Sequence, residues 1–144
     1  MFGLDFGRRR LGVAIGSTMT GTANPLATIP VRDDGPDWPA LERLVAEWRP
    51  SQLVLGLPYN LDGSEHALRP AVEALARQLD ARFGLPVEMV DERLTSREAE
   101  ARLREARASG LRKRRVDKEA VDAMAAAVIL ERFLDDQARD GGDG

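Results

Sequence analysis

The stretch GLDFGRRRLGVAIG, residues 3–16, decides the fold that this sequence predicts. Apolar side chains alternate with glycine and aspartate in its first part, and LGVAIG, residues 11–16, is a second apolar run. A period of two is typical of β-strands, and the glycine and arginines at residues 7–10 favour a turn between the runs. The stretch therefore predicts a β-hairpin, with Asp5 near the end of its first strand.

Further elements follow the hairpin in an order that alternates strands with helices. LATIPV, residues 26–31, predicts a third strand after a loop over residues 17–25, and DDGPD, residues 33–37, breaks the pattern with glycine and proline. Downstream, the apolar spacing and the capping residues predict, in chain order, a helix over 39–48, a strand over 52–58, a helix from Ser64 to about Phe83, a strand over 85–92, a helix beginning at Thr95, and a last helix from Asp117 to about Leu134.

These elements predict an α/β fold with a mixed sheet flanked by helices. The first three strands form an antiparallel meander, and the later strands join the sheet as parallel βα units. The chain has 144 residues, a length that suits a single domain. We therefore predict one domain over residues 1–138, followed by a flexible tail over residues 139–144.

The composition excludes several kinds of active site. The chain contains no cysteine and one histidine, His66. Disulfides, thiol nucleophiles and thiolate zinc sites are therefore excluded, and neither a Ser-His-Asp triad nor a multi-histidine metal site is easy to build. Acid–base or metal chemistry in this chain must rest largely on aspartate and glutamate.

Charge and hydropathy restrict the partners and the location. The net charge of −3 argues against a general nucleic-acid coat protein, but the clustering of arginine and lysine leaves room for a local basic surface. No apolar run approaches the roughly 20 residues that span a membrane, and the N-terminus is unlike a secretory signal. We expect a cytoplasmic protein with no membrane partner.

Acidic residues at two strand ends are candidate metal ligands. Asp5 lies just before a glycine turn, where an aspartate also serves to start the turn. Asp91 and Glu92 end the strand over residues 85–92, where a charged pair is also commonly just solvated. Strand alternation puts Glu92 on the face of Val90 and Asp91 on the opposite face, so only one of the two can point at a given site.

Asp122 is the third acidic candidate. It shares one face of the last helix with Ala126, Ile129 and Phe133, and residues 123–130 are apolar all round. Burying a carboxylate on such a surface costs free energy unless a favourable interaction compensates its charge. The helix dipole is one source of compensation, but acidic residues already occupy the first turn, where the dipole acts. A bound cation or a basic partner is therefore the expected compensation.

Three carboxylates on two strand ends and one helix suit a hard divalent cation. Mg²⁺ prefers oxygen ligands and suits phosphate chemistry, and Mn²⁺ accepts the same ligands. A pair of such ions can activate a water and stabilise the leaving oxygen of a phosphodiester without any histidine or cysteine. The residues alone leave open whether Asp91 or Glu92 belongs to the set, and whether the site holds one ion or two.

Basic and polar residues could hold nucleic-acid phosphates beside such a site. A solvated loop is the alternative for the basic run near residue 113, and a turn with Ser64 as a helix N-cap is the alternative for the loop that contains Asn60. The candidates for nucleic-acid binding are Arg8, Arg9, Arg10, Asn60, Arg93, Arg112, Lys113, Arg114 and Arg115.

Four motifs together resemble the YqgF family. They are GLDFGRRRLGVAIG at residues 3–16, VLGLPYNLDGSE at 54–65, VDERLTS at 90–96 and VDAMAAAVIL at 121–130. The resemblance extends from Phe2 to about Phe133, and four motifs in register are far more specific than any one of them. Members of this family are described as Holliday-junction-resolvase-like proteins or pre-16S rRNA nucleases.

The resemblance implies a ribonuclease H-like fold and a metal-dependent endonuclease. Position by position, Asp5, Glu92 and Asp122 match the family's catalytic carboxylates, which bind Mg²⁺ or Mn²⁺, and Asp91 is a weaker candidate beside Glu92. The resemblance also implies hydrolysis of phosphodiester bonds in 5′-end processing of pre-16S rRNA, and so a role in ribosome biogenesis. The turn at Arg8 is more basic than the family pattern, which favours the approach of phosphates.

Three alternatives remain open at this point. The substrate could be a branched DNA, as for a Holliday-junction resolvase, instead of structured precursor rRNA. A nucleic-acid-binding ribosome-assembly factor could keep the fold without cleaving. An actin-like ATPase or sugar kinase could begin with a similar hairpin, but those proteins close two domains around a nucleotide and this chain has length for one. The sequence favours neither a monomer nor a homodimer.

Overall fold

A computed structural model gives the structure of the chain. It describes residues 1–33, 35–57, 67–91 and 118–142. For residues 91, 118, 119 and 138–142 the description covers the backbone and not the side chain. Within the described ranges, no helix combines the length and the apolarity needed to cross a membrane.

Six strands of the described ranges form one sheet. They are β1 (Phe2–Phe6), β2 (Arg10–Ser17), β3 (Thr22–Arg32), β4 (Gly35–Pro36), β5 (Leu53–Leu57) and β6 (Val87–Asp91). Their spatial order is β4-β3-β2-β1-β5-β6. β1 to β4 are antiparallel neighbours, whereas β5 lies parallel to β1, and β6 lies parallel to β5. The carboxyl ends of β1, β5 and β6 therefore meet at one end of the sheet, where Asp5 lies.

Three helices of the described ranges flank the sheet: α1 (Trp38–Trp48), α2 (Arg69–Phe83) and α3 (Lys118–Gly142). The Asp37 side chain caps α1 by accepting a hydrogen bond from Ala40 N at 3.3 Å, and the helix ends at Arg49 in the left-handed conformation. α2 ends at Gly84, whose φ of 63° costs glycine little. These residues fix where α1 begins and where both helices end.

Strand alternation divides the core into two clusters, one on each face of the sheet. The first contains Leu4 and Leu55 from the strands, and α1 and α2 cover it with Leu41 and Leu79. The second contains smaller residues of the strands, and α3 covers it. Residues 125–130 of α3 are all buried. The stretch that is apolar all round in the sequence is therefore the part of the helix that packs on the sheet.

The first residue of the chain is bound to β2. The Met1 ammonium donates a hydrogen bond to Gly16 O at 2.9 Å. Its partial burial removes water from the charged group, which lowers the pKa of the Met1 amino group below its ordinary value of 8.0. Folding therefore disfavours the charged form of this group.

The predicted hairpin, the mixed sheet and the parallel βα units are confirmed. β1 pairs with β2 from Phe2↔Ile15 to Phe6↔Leu11, the register of a tight antiparallel hairpin. α1 and β5 lie where the apolar periodicity places them, within one residue at each end for the helix.

The start of β3 was predicted wrongly. The strand begins at Thr22, not at Leu26, because its pairing with β2 continues as far as Ser17↔Thr22. Pro25 does not end the strand, since it lies opposite Ala14 where the register shifts and where a missing amide is tolerated. The two-residue strand β4 was not predicted, because glycine and proline at these positions indicate only a turn.

Two helix boundaries also differ from the predictions. α2 begins at Arg69 rather than after Ser64, and Pro70 lies in its first turn, which is the one part of a helix that tolerates proline. α3 continues to Gly142, beyond the predicted end near Leu134, and so includes most of the predicted tail. The flexibility of residues 139–144 stays a prediction. The predicted helix beginning at Thr95 and the predicted cap at Asp117 lie outside the described residues.

Candidate active site

Asp5 lies on the face of the sheet that α3 covers. Phe2 and Leu4 of β1 belong to the first cluster, so alternation turns Gly3 and Asp5 to the opposite face. A Cβ atom at Gly3 would lie 2.6 Å from Ala126 O of α3, which shows that this face meets the helix. Asp5 itself is half-buried near the carboxyl end of β1.

Gly12 brings Asp122 to the same place. Asp5 and Gly12 lie directly opposite each other in the pairing of β1 with β2. A Cβ atom at Gly12 would overlap the backbone carbonyl of Asp122, so α3 rests directly on the strand here, and glycine is the residue that leaves room for it. The structure therefore places the backbones of Asp5 and Asp122 against the same glycine.

Sequence reasoning missed the part that Gly12 has in this arrangement. A glycine inside a strand pattern indicates a bulge or the close approach of another backbone, and that signal is present in LGVAIG. The signal does not identify the approaching segment, which comes from the other end of the chain. Gly12 is thus a residue that positions the site without contributing a functional group.

Arg10 forms an ion pair with Asp122. Arg10 Nε donates a hydrogen bond to Asp122 Oδ2 at 2.6 Å, and the two side chains are 31% and 26% exposed. The apolar surroundings of Asp122 predicted either a bound cation or a basic partner, and the structure contains a basic partner. Arg10 was predicted to bind nucleic acid, whereas in this structure its guanidinium contacts a carboxylate.

The other two arginines of the turn differ from Arg10. Gly7 N donates to Arg10 O at 2.8 Å, and Val31 N donates to Arg9 O at 2.8 Å, so the backbone of the turn is bound at both points. The side chains of Arg8 and Arg9 are exposed. Two cationic groups therefore extend into solvent from the turn that immediately follows Asp5.

The strand ends also bring β6 level with Asp5. Leu4 of β1 is level with Leu55 of β5, which is level with Met89 of β6. Asp5 and Val90 each follow by one residue, and Val90 packs against the cluster beneath α3. Since neighbouring strands lie about 4.8 Å apart, the backbones of Asp5 and Val90 are roughly 10 Å apart, across β5.

Comparison with known proteins assigns the chain to a family. The family model described as "RuvX: Holliday junction resolvase" matches residues 1–136, which is nearly the whole chain. The chain belongs to the RuvX family. RuvX is another name for the YqgF family, so the resemblance carried by the four sequence motifs is confirmed.

Curated RuvX relatives are similar over most of their length. A protein of Xanthomonas axonopodis pv. citri (strain 306) named "Putative pre-16S rRNA nuclease" is 51% identical over 134 residues, which cover 93% of this chain and 86% of that protein. A protein of Xanthomonas campestris pv. campestris (strain B100) with the same name is 49% identical over the same shares of the two chains.

Solved structures confirm the fold expected of a RuvX protein. Thermus thermophilus RuvC in complex with a Holliday junction substrate aligns with a TM-score of 0.54 and 18% identity, covering 97% of this chain and 94% of RuvC. A second structure of the same RuvC aligns with a TM-score of 0.52 and 19% identity, covering 97% and 95%. The predicted ribonuclease H-like fold is therefore confirmed.

Most of the other predicted site residues of this RuvX chain lie outside the described ranges. For Asp91 the backbone is described, at the end of β6. Glu92 and the remaining candidates for nucleic-acid binding are not among the described residues; these candidates are Asn60, Arg93, Arg112, Lys113, Arg114 and Arg115. Of the predicted site residues with described side chains, Asp5 and Asp122 have their backbones against Gly12, and Arg10 pairs with Asp122. The side chains of Arg8 and Arg9 are exposed.

Proposed function

We propose that this chain is a metal-dependent endonuclease that hydrolyses phosphodiester bonds in 5′-end processing of pre-16S rRNA, and so acts in ribosome biogenesis. The observation that carries the proposal is the convergence of Asp5 and Asp122 around Gly12. Membership of the RuvX family and the name pre-16S rRNA nuclease, which curated relatives carry, support the type of reaction and the substrate.

The donor atoms at this site fit Mg²⁺ or Mn²⁺. Asp5 and Asp122 offer carboxylate oxygens, which are the ligands that these cations prefer. Asp122 already contacts a positive group at a place that water reaches. The described residues alone contain no cluster of three or more metal-ligating side chains. The proposed set therefore includes Glu92, which sequence alternation assigns to the face of Val90, with Asp91 as the weaker candidate.

The proposed catalysis depends on carboxylates held in fixed relative positions. When bound, the metal supplies an activated water and neutralises charge on the leaving oxygen. Strand pairing with Gly12 fixes the backbone of Asp5, and the contact of α3 with the same glycine fixes the backbone of Asp122. Fixed backbones limit the reorganisation that the carboxylates need once the metal is bound, which favours electrostatic catalysis.

The proposed substrate contacts come from the basic residues. Arg8 and Arg9 are exposed beside Asp5, which suits them to bind the phosphates that flank the cleaved bond. Arg93, Asn60 and the run 112–115 are proposed on sequence grounds to extend this surface. We further propose that residues 1–138 act as one domain and that the protein works in the cytoplasm.

A branched DNA such as a Holliday junction is the second candidate substrate. The description of the matching family and the fold of RuvC support it. We favour RNA because the curated relatives, which are far more similar to this chain than RuvC is, carry the rRNA name. A third candidate is a ribosome-assembly factor that binds nucleic acid without cleaving it, and the site would then bind no catalytic metal.

Cleavage assays with purified protein test these candidates. Precursor 16S rRNA and a four-way DNA junction would each be incubated with Mn²⁺ and with wild type, Asp5→Asn or Asp122→Asn. We expect wild type to cut the RNA near its 5′ end and both variants to be inactive. Cutting of the junction alone would favour the resolvase, and binding without cutting would favour the assembly factor. Equal cutting by wild type and both variants would contradict the proposed site.

A further inference from the structure

We propose that Arg10 is a built-in counter-cation for Asp122, which releases this carboxylate when a divalent metal binds. The inference rests on the proposed function, because it takes Asp122 to be a metal ligand. It assigns Arg10 a role distinct from that of Arg8 and Arg9, its neighbours in the same turn.

The position of Arg10 in β2 explains how it reaches Asp122. Arg10 is the first residue of the strand and lies two residues before Gly12, so alternation places it on the face that α3 covers. The hydrogen bond from Nε to Oδ2 is short, at 2.6 Å, as expected of a charge-assisted bond. The Arg10 carbonyl separately accepts from Gly7 N. The side chain can therefore leave Asp122 while the turn keeps its backbone hydrogen bond.

Repulsion between carboxylates explains why the metal-free site benefits from a cation. Asp5 and Asp122 converge around Gly12, and two negative groups held close together destabilise each other. The Arg10 guanidinium offsets this repulsion with one positive charge. A divalent ion would offset it with two, and it would repel the guanidinium. Arg10 and the metal therefore compete for Asp122.

The ion pair between Arg10 and Asp122 is also of a kind that a competing cation can break. Both side chains are about one-quarter to one-third exposed, so water and salt weaken their attraction. The bond joins one guanidinium nitrogen to one carboxylate oxygen, which is a less specific arrangement than a bidentate fork. Once released, Arg10 lies beside the exposed Arg8 and Arg9, where its charge becomes available to a substrate phosphate.

Calorimetric titration of Mn²⁺ into the metal-free, full-length protein tests the exchange. Arg10→Gln should bind Mn²⁺ roughly three- to tenfold more tightly than wild type, because no ion pair has to be broken and no guanidinium repels the metal. Arg9→Gln is the matched control, since it removes the same charge from the adjacent exposed position. It should change the dissociation constant far less. Circular dichroism would check that each variant is folded.

A measurement on wild type tests the same exchange without the Arg10 variant. In ¹⁵N NMR spectra, Mg²⁺ should shift the Arg10 Nε–Hε signal and speed its hydrogen exchange with water, as the bond to Asp122 is lost. In Asp122→Asn the same addition of Mg²⁺ should leave this signal unchanged. If Arg10→Gln does not fold, the NMR experiment alone tests whether Arg10 leaves Asp122 when the metal binds.

The outcomes separate this inference from the proposed function. If wild type binds Mn²⁺ through Asp122 and Arg10→Gln binds it equally or more weakly, the inference is wrong and the metal site stands. If wild type binds metal but Mg²⁺ leaves the Arg10 Nε–Hε signal unchanged, the inference is likewise wrong and the proposed metal site is unaffected. If neither wild type nor Arg10→Gln binds Mn²⁺, the inference and the metal-dependent function are both wrong.

Discussion

The backbone carbonyl of Asp122 rests directly against Gly12, the residue that faces Asp5 across the first two strands. This contact connects the beginning of the chain to its last helix with no side chain between them. It sets the separation of a carboxylate on β1 from a carboxylate on α3. The packing of the helix and the geometry of the site therefore depend on the same residue.

The first prediction concerns Gly12 itself. In Gly12→Ala the added methyl group overlaps the carbonyl of Asp122, so α3 must move away from the sheet. We expect a loss of about 1–3 kcal/mol in the free energy of unfolding, as for other overpacked cores. We also expect weaker Mn²⁺ binding, because Asp122 moves relative to Asp5. Urea denaturation and calorimetric titration would measure the two effects.

Gly7→Ala is the control for that substitution. Gly7 lies in the turn between the same two strands, but among the described residues a methyl group there would meet no atom outside its chain neighbours closer than the Arg10 carbonyl oxygen, at 3.1 Å. Gly7→Ala should therefore lower the free energy of unfolding much less than Gly12→Ala. Equal losses for the two variants would mean that the contact with α3 is not what makes Gly12 necessary.

The second prediction concerns the stability of Asp122→Asn. An uncompensated buried carboxylate would make this substitution stabilising, but the pair with Arg10 reverses that expectation. We expect a small loss of about 0–1 kcal/mol in metal-free buffer, which is the range for partly exposed ion pairs. The loss should shrink at high salt, since salt screens the pair in wild type. Denaturation at low and high salt would measure it, and a loss independent of salt would contradict the electrostatic explanation.

The third prediction concerns Arg8 and Arg9. Replacing both with alanine should weaken binding of precursor rRNA and flatten its dependence on salt, by about 0.7–0.9 in the logarithmic slope for each lost phosphate contact. Fluorescence anisotropy over a series of salt concentrations would measure the slope. Calorimetric titration with Mn²⁺ should show unchanged metal binding. An unchanged slope would mean that the exposed arginines do not contact phosphates.

The fourth prediction concerns pH and the Met1 amino group. Burial lowers the pKa of this group in the folded state, so below 8.0 the unfolded chain binds more protons than the folded chain does. The free energy of unfolding should therefore rise with pH from the lowered pKa up to about 8 and then level off, as far as this group is concerned. N-terminal acetylation should remove that rise while keeping an N–H donor for Gly16 O. A rise that persists after acetylation would have to come from another group.

Local patterns predicted much of the fold. Period-two alternation around Asp5, helical spacing before Trp48 and the apolar run at β5 each reflect burial within a few neighbouring residues, which is information that a short segment contains. The start of β3 depends instead on its pairing with β2, and the composition of residues 22–25 indicates only a loop. The start of α2 at Arg69 follows from Pro70, because a helix tolerates proline only in its first turn.

The candidate site was predictable in its charges but not in its contacts. The apolar residues around Asp122 indicated that it needs a cation or a basic partner, and nothing local could identify that partner as Arg10, which is 112 residues away. In the same way, three successive arginines are equivalent in the sequence. The strand that begins at Arg10 separates them, because it turns one side chain toward α3 while the other two stay exposed.

The central claim is that Asp5 and Asp122 belong to one metal site. Calorimetric titration of Mn²⁺ into wild type, Asp5→Asn and Asp122→Asn tests it most directly, with circular dichroism to show that all three proteins are folded. We predict that wild type binds Mn²⁺ and that each single substitution removes most of the binding. Unchanged binding in both variants, or no binding by wild type, would contradict the claim.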